Sequence, residues 1–119
     1  MQRNWQGRFI LRQTPPALLQ TIVHYSLHFL APGLPAWLFW RDRWINAWLI
    51  MLATMAVDID HLFAVPYFDP DRCSIGFHFL HTWPAIAVYA LMFCYKPLRI
   101  VALGLLLHMF TDWQDCLWM

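Results

Sequence analysis

Four predominantly apolar stretches, joined by short polar turns, limit what this chain can become. They run from Ala17 to about Trp40, from Trp44 to about Leu62, from Phe77 to Tyr95 and from Leu98 to about Trp113. A helix rises about 1.5 Å per residue, so ~20 residues cross the ~30 Å hydrocarbon core of a bilayer. The chain is 61% hydrophobic and 13% charged, against about half and about a quarter in a soluble domain. Eight Trp and four Tyr suit the aromatic belts at a membrane interface. The expected fold is therefore all-α, a four-helix transmembrane bundle formed by residues 17–119.

Residues 1–16 form a basic tail in which Arg3, Arg8 and Arg12 flank Trp5, Phe9, Ile10 and Leu11. This reads as a short amphipathic N-terminal segment on the membrane surface or as a frayed basic end. No signal peptide is evident, and no basic run points to a nucleic-acid partner. Pro15-Pro16 opens the first helix, and Pro32 and Pro35 are expected to kink its second half. Arg41-Asp42-Arg43 and Lys96-Pro97 are tight turns. Residues 64–76 are the longest connection, with Pro66, Asp69-Pro70-Asp71 and Gly76 as turn chemistry.

Short-looped spans alternate in direction, so the start of span 1, the end of span 2, the start of span 3 and the end of span 4 share one membrane face. Those ends carry His24 and His28; Asp58, Asp60 and His61; His78 and His81; and His108 and Asp112. The opposite face has Arg41, Asp42, Arg43, Lys96 and Arg99 and no histidine. Ionisable groups at the edge of hydrocarbon are costly and mark function. Asp and His together suit a hard or borderline divalent metal, and helical bundles build such sites from facing helices.

Each pair alone has a bland reading. H-x-x-x-H on an apolar helix is commonly packing with a satisfied hydrogen bond, and the whole set reads without metal as a polar network that pins the helices. D-x-D-H at 58–61 says more, because paired carboxylates near a membrane need charge compensation. On a continuous helix Asp58 and His61 share a face and Asp60 does not, which implies two metals or a local bend. These donors outnumber the four of one tetrahedral zinc. Either two ions sit close together, or carboxylates behind one ion orient its histidines. Bis-histidine haem ligation has no use for the carboxylates. Arg72, on the same face, is a candidate to steady a phosphate or else pairs with Asp69 or Asp71.

The three cysteines, Cys73, Cys94 and Cys116, lack the C-x-x-C spacing of a thiolate zinc site. Cys73 and Cys116 fall on the face of the His/Asp clusters. Free thiols are the default expectation; a disulfide between them would place that face in an oxidising periplasm.

The motifs H-Y-S-L-H at 24–28, D-I-D-H-L at 58–62, R-C-S-I-G-F-H-F-L-H at 72–81 and H-M-F-T-D at 108–112 resemble a family of small bacterial four-span membrane proteins known only as a domain of unknown function. More distantly the chain is similar to predicted inner-membrane metal-dependent hydrolases, including the LexA-regulated ones. Their early His, D-x-D-H, two-His motif and H-x-x-x-D map to His24, Asp58 to His61, His78 with His81, and His108 with Asp112. The hydrolases place an Arg after the first His of the two-His motif; here Phe79 stands there. The H-x-x-x-D pair also looks like one in zinc-dependent phospholipases C.

The resulting expectation is a multi-pass protein of the bacterial inner membrane that hydrolyses a phosphate ester on a lipid or lipid-linked substrate. Its cofactor would be one or two divalent ions, zinc first, with manganese or iron as alternatives. His24, Asp60, His61, His81, His108 and Asp112 are the expected inner ligands, His28 and His78 further donors, and Asp58 the general base. Arg72 is the anion-steadying group. Two other classes stand beside this one: a small metal-binding accessory subunit of a larger membrane complex or homo-oligomer, and a membrane di-iron oxygenase. Only six histidines and no adjacent His-His pair count against the last.

Overall fold

Prolines set where the first helical segment breaks. In the computed structural model, which describes residues 15–66 and 72–117, helix α1 (Pro15–Phe29) opens at the proline pair and stops short of Pro32. A tight turn follows, and α2 (Gly33–Phe39) resumes the segment. The break leaves carbonyls without helical partners, and the indole of Trp48 donates to one of them, the Phe29 oxygen, at 2.8 Å. The expected amphipathic tail lies outside the described residues, apart from its last two positions.

After a 3₁₀ turn at Arg41–Arg43, α3 (Trp44–Ala53) passes into a 3₁₀ helix over Thr54–Phe63. Such stretches rarely exceed a few residues and often mark functional segments. At the change-over the Thr54 hydroxyl donates to the Met51 carbonyl at 2.5 Å, competing with the helical ladder. The expected local bend at the Asp/His cluster thus takes the form of tighter winding.

The third segment corrects the expected boundary. A single helix was expected from Phe77, but α4 (Trp83–Cys94) begins only after Thr82, whose backbone is extended. Pro84 explains this: proline suits the first helical turn and pushes earlier residues out of helical geometry. Residues 72–82 instead form a folded connection. Gly76 turns it with a φ of 81°, and only the Phe79–His81 turn is 3₁₀. The last helix, α5 (Arg99–Cys116), continues past Trp113 and brings Asp115 onto the helix.

The described residues are all-α, in four helical segments. One of these, Arg41–Phe63, is long and apolar enough to cross a membrane; Trp83–Cys94 with Lys96–Cys116 makes a second only as one broken span, bent by 118°. At 12 residues, α4 alone rises about 18 Å.

Helix α5 lies at the centre and packs against α1, α3 and α4. One core cluster joins Ala36, Ala47, Met51 and Ile100; another joins Val57, Tyr89 and Met109. Gly104 permits the close crossing of α5 over α3. A Cβ there would lie 2.9 Å from Met51 Cα and 2.8 Å from Thr54 Oγ1. Cys73 is disulfide-bonded to Cys116, with Cα atoms 5.1 Å apart, which overturns the expectation of free thiols. The extra turn of α5 delivers Cys116 to the folded 72–82 connection. Cys94 is the free, exposed cysteine.

Candidate metal centre

On α5, His108, Asp112 and Asp115 are spaced four and three apart, so they share one face. In the 3₁₀ helix, three residues per turn put Asp58 and His61 on one side and Asp60 on another. Asp58 reaches towards α5, and Asp60 reaches under the 72–82 connection. There its Oδ2 accepts the Leu80 backbone N–H at 2.8 Å and lies 3.0 Å from His81 Nδ1. The Tyr89 hydroxyl donates to the Leu80 carbonyl at 2.8 Å. His81 is thereby fixed with its Nε2 aimed at α5.

Four donor atoms from three segments then meet. His81 Nε2 is 3.3 Å from His108 Nε2, 3.3 Å from Asp58 Oδ1 and 3.0 Å from Asp112 Oδ2. His108 Nε2 is 3.0 Å from Asp58 Oδ1 and 3.2 Å from Asp112 Oδ2. A ring nitrogen supplies one in-plane donor or one in-plane lone pair, so hydrogen bonds alone leave most of these approaches unpaid. Asp112 Oδ2 is buried, and its close neighbours are the ring nitrogens of His81 and His108. A tetrahedral ion with bonds of about 2.0–2.1 Å sets its donors about 3.3 Å apart, close to the 3.0–3.3 Å between each histidine nitrogen and the other donors. The donor set of two imidazoles and two carboxylates fits zinc, and it also suits manganese or iron.

Burial differs around this group. The side chains of His81, His108 and Asp112 are 0%, 2% and 8% exposed, whereas that of Asp58 is 39% exposed. The group therefore opens on the Asp58 side. Burial is the largest influence on His81 and lowers its pKa, but the carboxylates of Asp112, Asp58 and Asp60 together raise it to about 10.

The remaining expected donors fall into two neighbouring groups. His24, His28 and Asp112 place donor atoms within 4.8 Å of one another, as do Asp60, His61 and His78. His61 Nδ1 is 3.2 Å from Asp60 Oδ1, and its Nε2 faces Ser74 Oγ at 3.4 Å. His78 stacks on His61 with ring centroids 3.8 Å apart, and burial and the His61 charge lower its pKa. Helical spacing expects His78 and His81 on one face; the extended backbone around them assigns the two to different donor groups, although their rings still meet edge-on with centroids 5.7 Å apart. Arg72 donates to the Pro66 carbonyl at 2.8 Å and lies over the Phe77 ring, 4.5 Å from its centroid. Asp69 and Asp71, its other expected partners, lie outside the described residues.

Asp115 was missed in the sequence. Its Oδ2 abuts His24 Nδ1. The signal was present as H-x-x-x-D-x-x-D at 108–115, one continuous helix face.

Residues 18–119 match a family of unknown function, DUF6122, and the chain belongs to that family. No curated protein and no solved structure matches the chain.

Proposed function

We propose that this family member is an integral membrane hydrolase that uses a divalent ion held by His81, His108 and Asp112. The observation that carries this reading is the four-atom group at 3.0–3.3 Å with one exposed corner, Asp58. Two histidines and a carboxylate with an accessible fourth position are the donor pattern of catalytic zinc. An ion there would acidify a water and polarise a phosphoryl oxygen.

The chain's own groups supply the rest. Asp60 orients His81 and strengthens it as a donor, as a carboxylate behind a ligating imidazole does. Asp58, at the open corner, takes the proton of the attacking water. Exposed apolar side chains flank the donors in sequence: Leu62, Phe63, Val65, Phe77, Phe79 and Trp83. A substrate delivered from the lipid or headgroup layer suits such a rim, which supports a phosphate ester on a lipid or lipid-linked molecule. We place the protein in a bacterial inner membrane. The Cys73–Cys116 bond supports a metal centre on the oxidising, periplasmic side.

One feature favours a second reading. If Asp58 keeps its corner throughout, four protein donors close the site, as in structural zinc centres, and the chain is a metal-stabilised accessory subunit. Hydrolysis of short-chain phospholipids and isoprenyl phosphates by the detergent-solubilised protein separates the two. The hydrolase reading expects turnover that chelator abolishes. It also expects Asp58→Asn to lower kcat by at least a hundredfold while most of the metal stays bound. A metal-replete protein without turnover on either substrate class would favour the accessory subunit.

A further inference from the structure

Beside the first group, and sharing Asp112 with it, lies a second set of donors. Asp112 uses its two oxygens in opposite directions: Oδ2 faces His81 and His108, while Oδ1 lies 3.4 Å from His28 Nε2. His28 is 2% exposed, and its ring meets that of His24 edge-on with centroids 4.4 Å apart. Asp115 Oδ2 abuts His24 Nδ1. Beyond that contact, Asp115 Oδ1 is buried without a hydrogen-bond partner among the described residues. Buried polar atoms left in this way call for an explanation, an unseen ion among them.

The His61–His78 group differs. Its rings are stacked with planes 28° apart, so their in-plane lone pairs lie in nearly parallel planes, a poor arrangement for two ligands of one ion. Asp60 is already committed to the Leu80 N–H and to His81.

We infer that the site is binuclear: a second divalent cation is bound by His24 and His28 and is bridged to the first by the Asp112 carboxylate, with Asp115 holding His24 in place. This rests on the proposed first ion and deepens that reading. Two ions on one carboxylate lie about 4 Å apart, the spacing that clamps the attacking and leaving oxygens of a phosphate ester. The ligand class that fits such a pair is a tetrahedral oxyanion with oxygens on both ions. Helix α1 then contributes chemistry as well as packing, and the last turn of α5 sets Asp115 against His24.

The test uses the full chain in detergent, stripped with chelator and reloaded with manganese(II) alone. Bound metal is counted by elemental analysis, and the ions are observed by electron paramagnetic resonance. The inference expects two equivalents and an exchange-coupled spectrum in the wild type. His24→Gln and His28→Gln are expected to hold one equivalent with an isolated six-line signal, and His108→Gln to lose the first ion. Circular dichroism checks that each variant is folded; if both second-site variants misfold, the wild-type stoichiometry and spectrum decide. One equivalent with an uncoupled signal in the wild type overturns the second ion and leaves the first standing. No bound manganese in the wild type overturns both.

Discussion

Replacing Asp60 by Asn separates a residue that orients a ligand from one that binds the ion. Asp60 Oδ2 serves the Leu80 N–H at 2.8 Å and His81 Nδ1 at 3.0 Å, and its Oδ1 faces His61 Nδ1 at 3.2 Å. The Asn side chain has the same shape. Its oxygen can still meet Leu80 and His81, with its amide turned to the His61 nitrogen, so the connection should stay folded. What disappears is the charge. A hydrogen bond to a charged group contributes about 1.5–3 kcal/mol and a neutral one about 1 kcal/mol. The His81 contact therefore weakens by roughly 1–2 kcal/mol, close to a tenfold change in an equilibrium constant. Loss of a carboxylate behind a metal-bound histidine typically lowers metal affinity 10–100-fold. We expect Asp60→Asn to weaken zinc binding about tenfold and by no more than a hundredfold, measured by competition with a chromophoric chelator in detergent. His108→Gln, which removes a donor, should bind too weakly to compete. If Asp60→Asn loses zinc as completely as His108→Gln, Asp60 is itself a ligand; if its affinity equals that of the wild type, the orienting role is wrong.

Three further outcomes follow from the packing and the charges. Gly104→Ala places a Cβ 2.9 Å from Met51 Cα, one turn below the point where His108 and Asp58 stand 3.0 Å apart. Overpacking costs about 1–3 kcal/mol, offset by roughly 1 kcal/mol of helix propensity, and the forced separation should lower zinc affinity; an unchanged affinity and melting temperature would contradict this. The Cys73–Cys116 bond closes a 43-residue separation, worth about 4 kcal/mol in the chain-entropy model, so Cys73→Ser with Cys116→Ser should melt earlier and release metal faster, and unaltered metal retention would show that the 72–82 connection holds without it. His81 has its pKa raised to about 10 by the surrounding carboxylates, so below that pH an ion must displace its proton; zinc affinity should rise up to tenfold per pH unit from pH 6 to 9, and a flat profile would contradict His81 as a ligand. By the same linkage, chelator-treated protein gains this site's stabilisation fully below about pH 6.5 and loses it as pH rises towards 10.

The sequence was most legible where spacing and segment order suffice. Alternating direction of short-looped segments brings His28, Asp58, His81, His108 and Asp112 to one end, and the structure gathers them there. It was least legible where local backbone departs from a regular helix. Asp58 and Asp60 take different tasks because their segment is a 3₁₀ helix, which no apolar periodicity announces. His78 and His81 join different donor groups because Pro84 delays the helix to Trp83 and the Asp60 carboxylate takes up the Leu80 N–H instead. Asp115 is not legible because the polar pair Gln114-Asp115 after Trp113 reads as the end of the apolar segment. The residues that follow stay helical through Cys116, which is bonded to Cys73.

Extended X-ray absorption at the zinc edge, on protein purified in detergent without chelator, tests the metal centre most directly. The account predicts bound zinc with a nitrogen/oxygen shell at about 2.0–2.1 Å, outer-shell scattering from histidine rings, and loss of that imidazole signal in the His81→Gln, His108→Gln double variant. A sulfur shell near 2.3 Å, or an unchanged spectrum in the double variant, would contradict it.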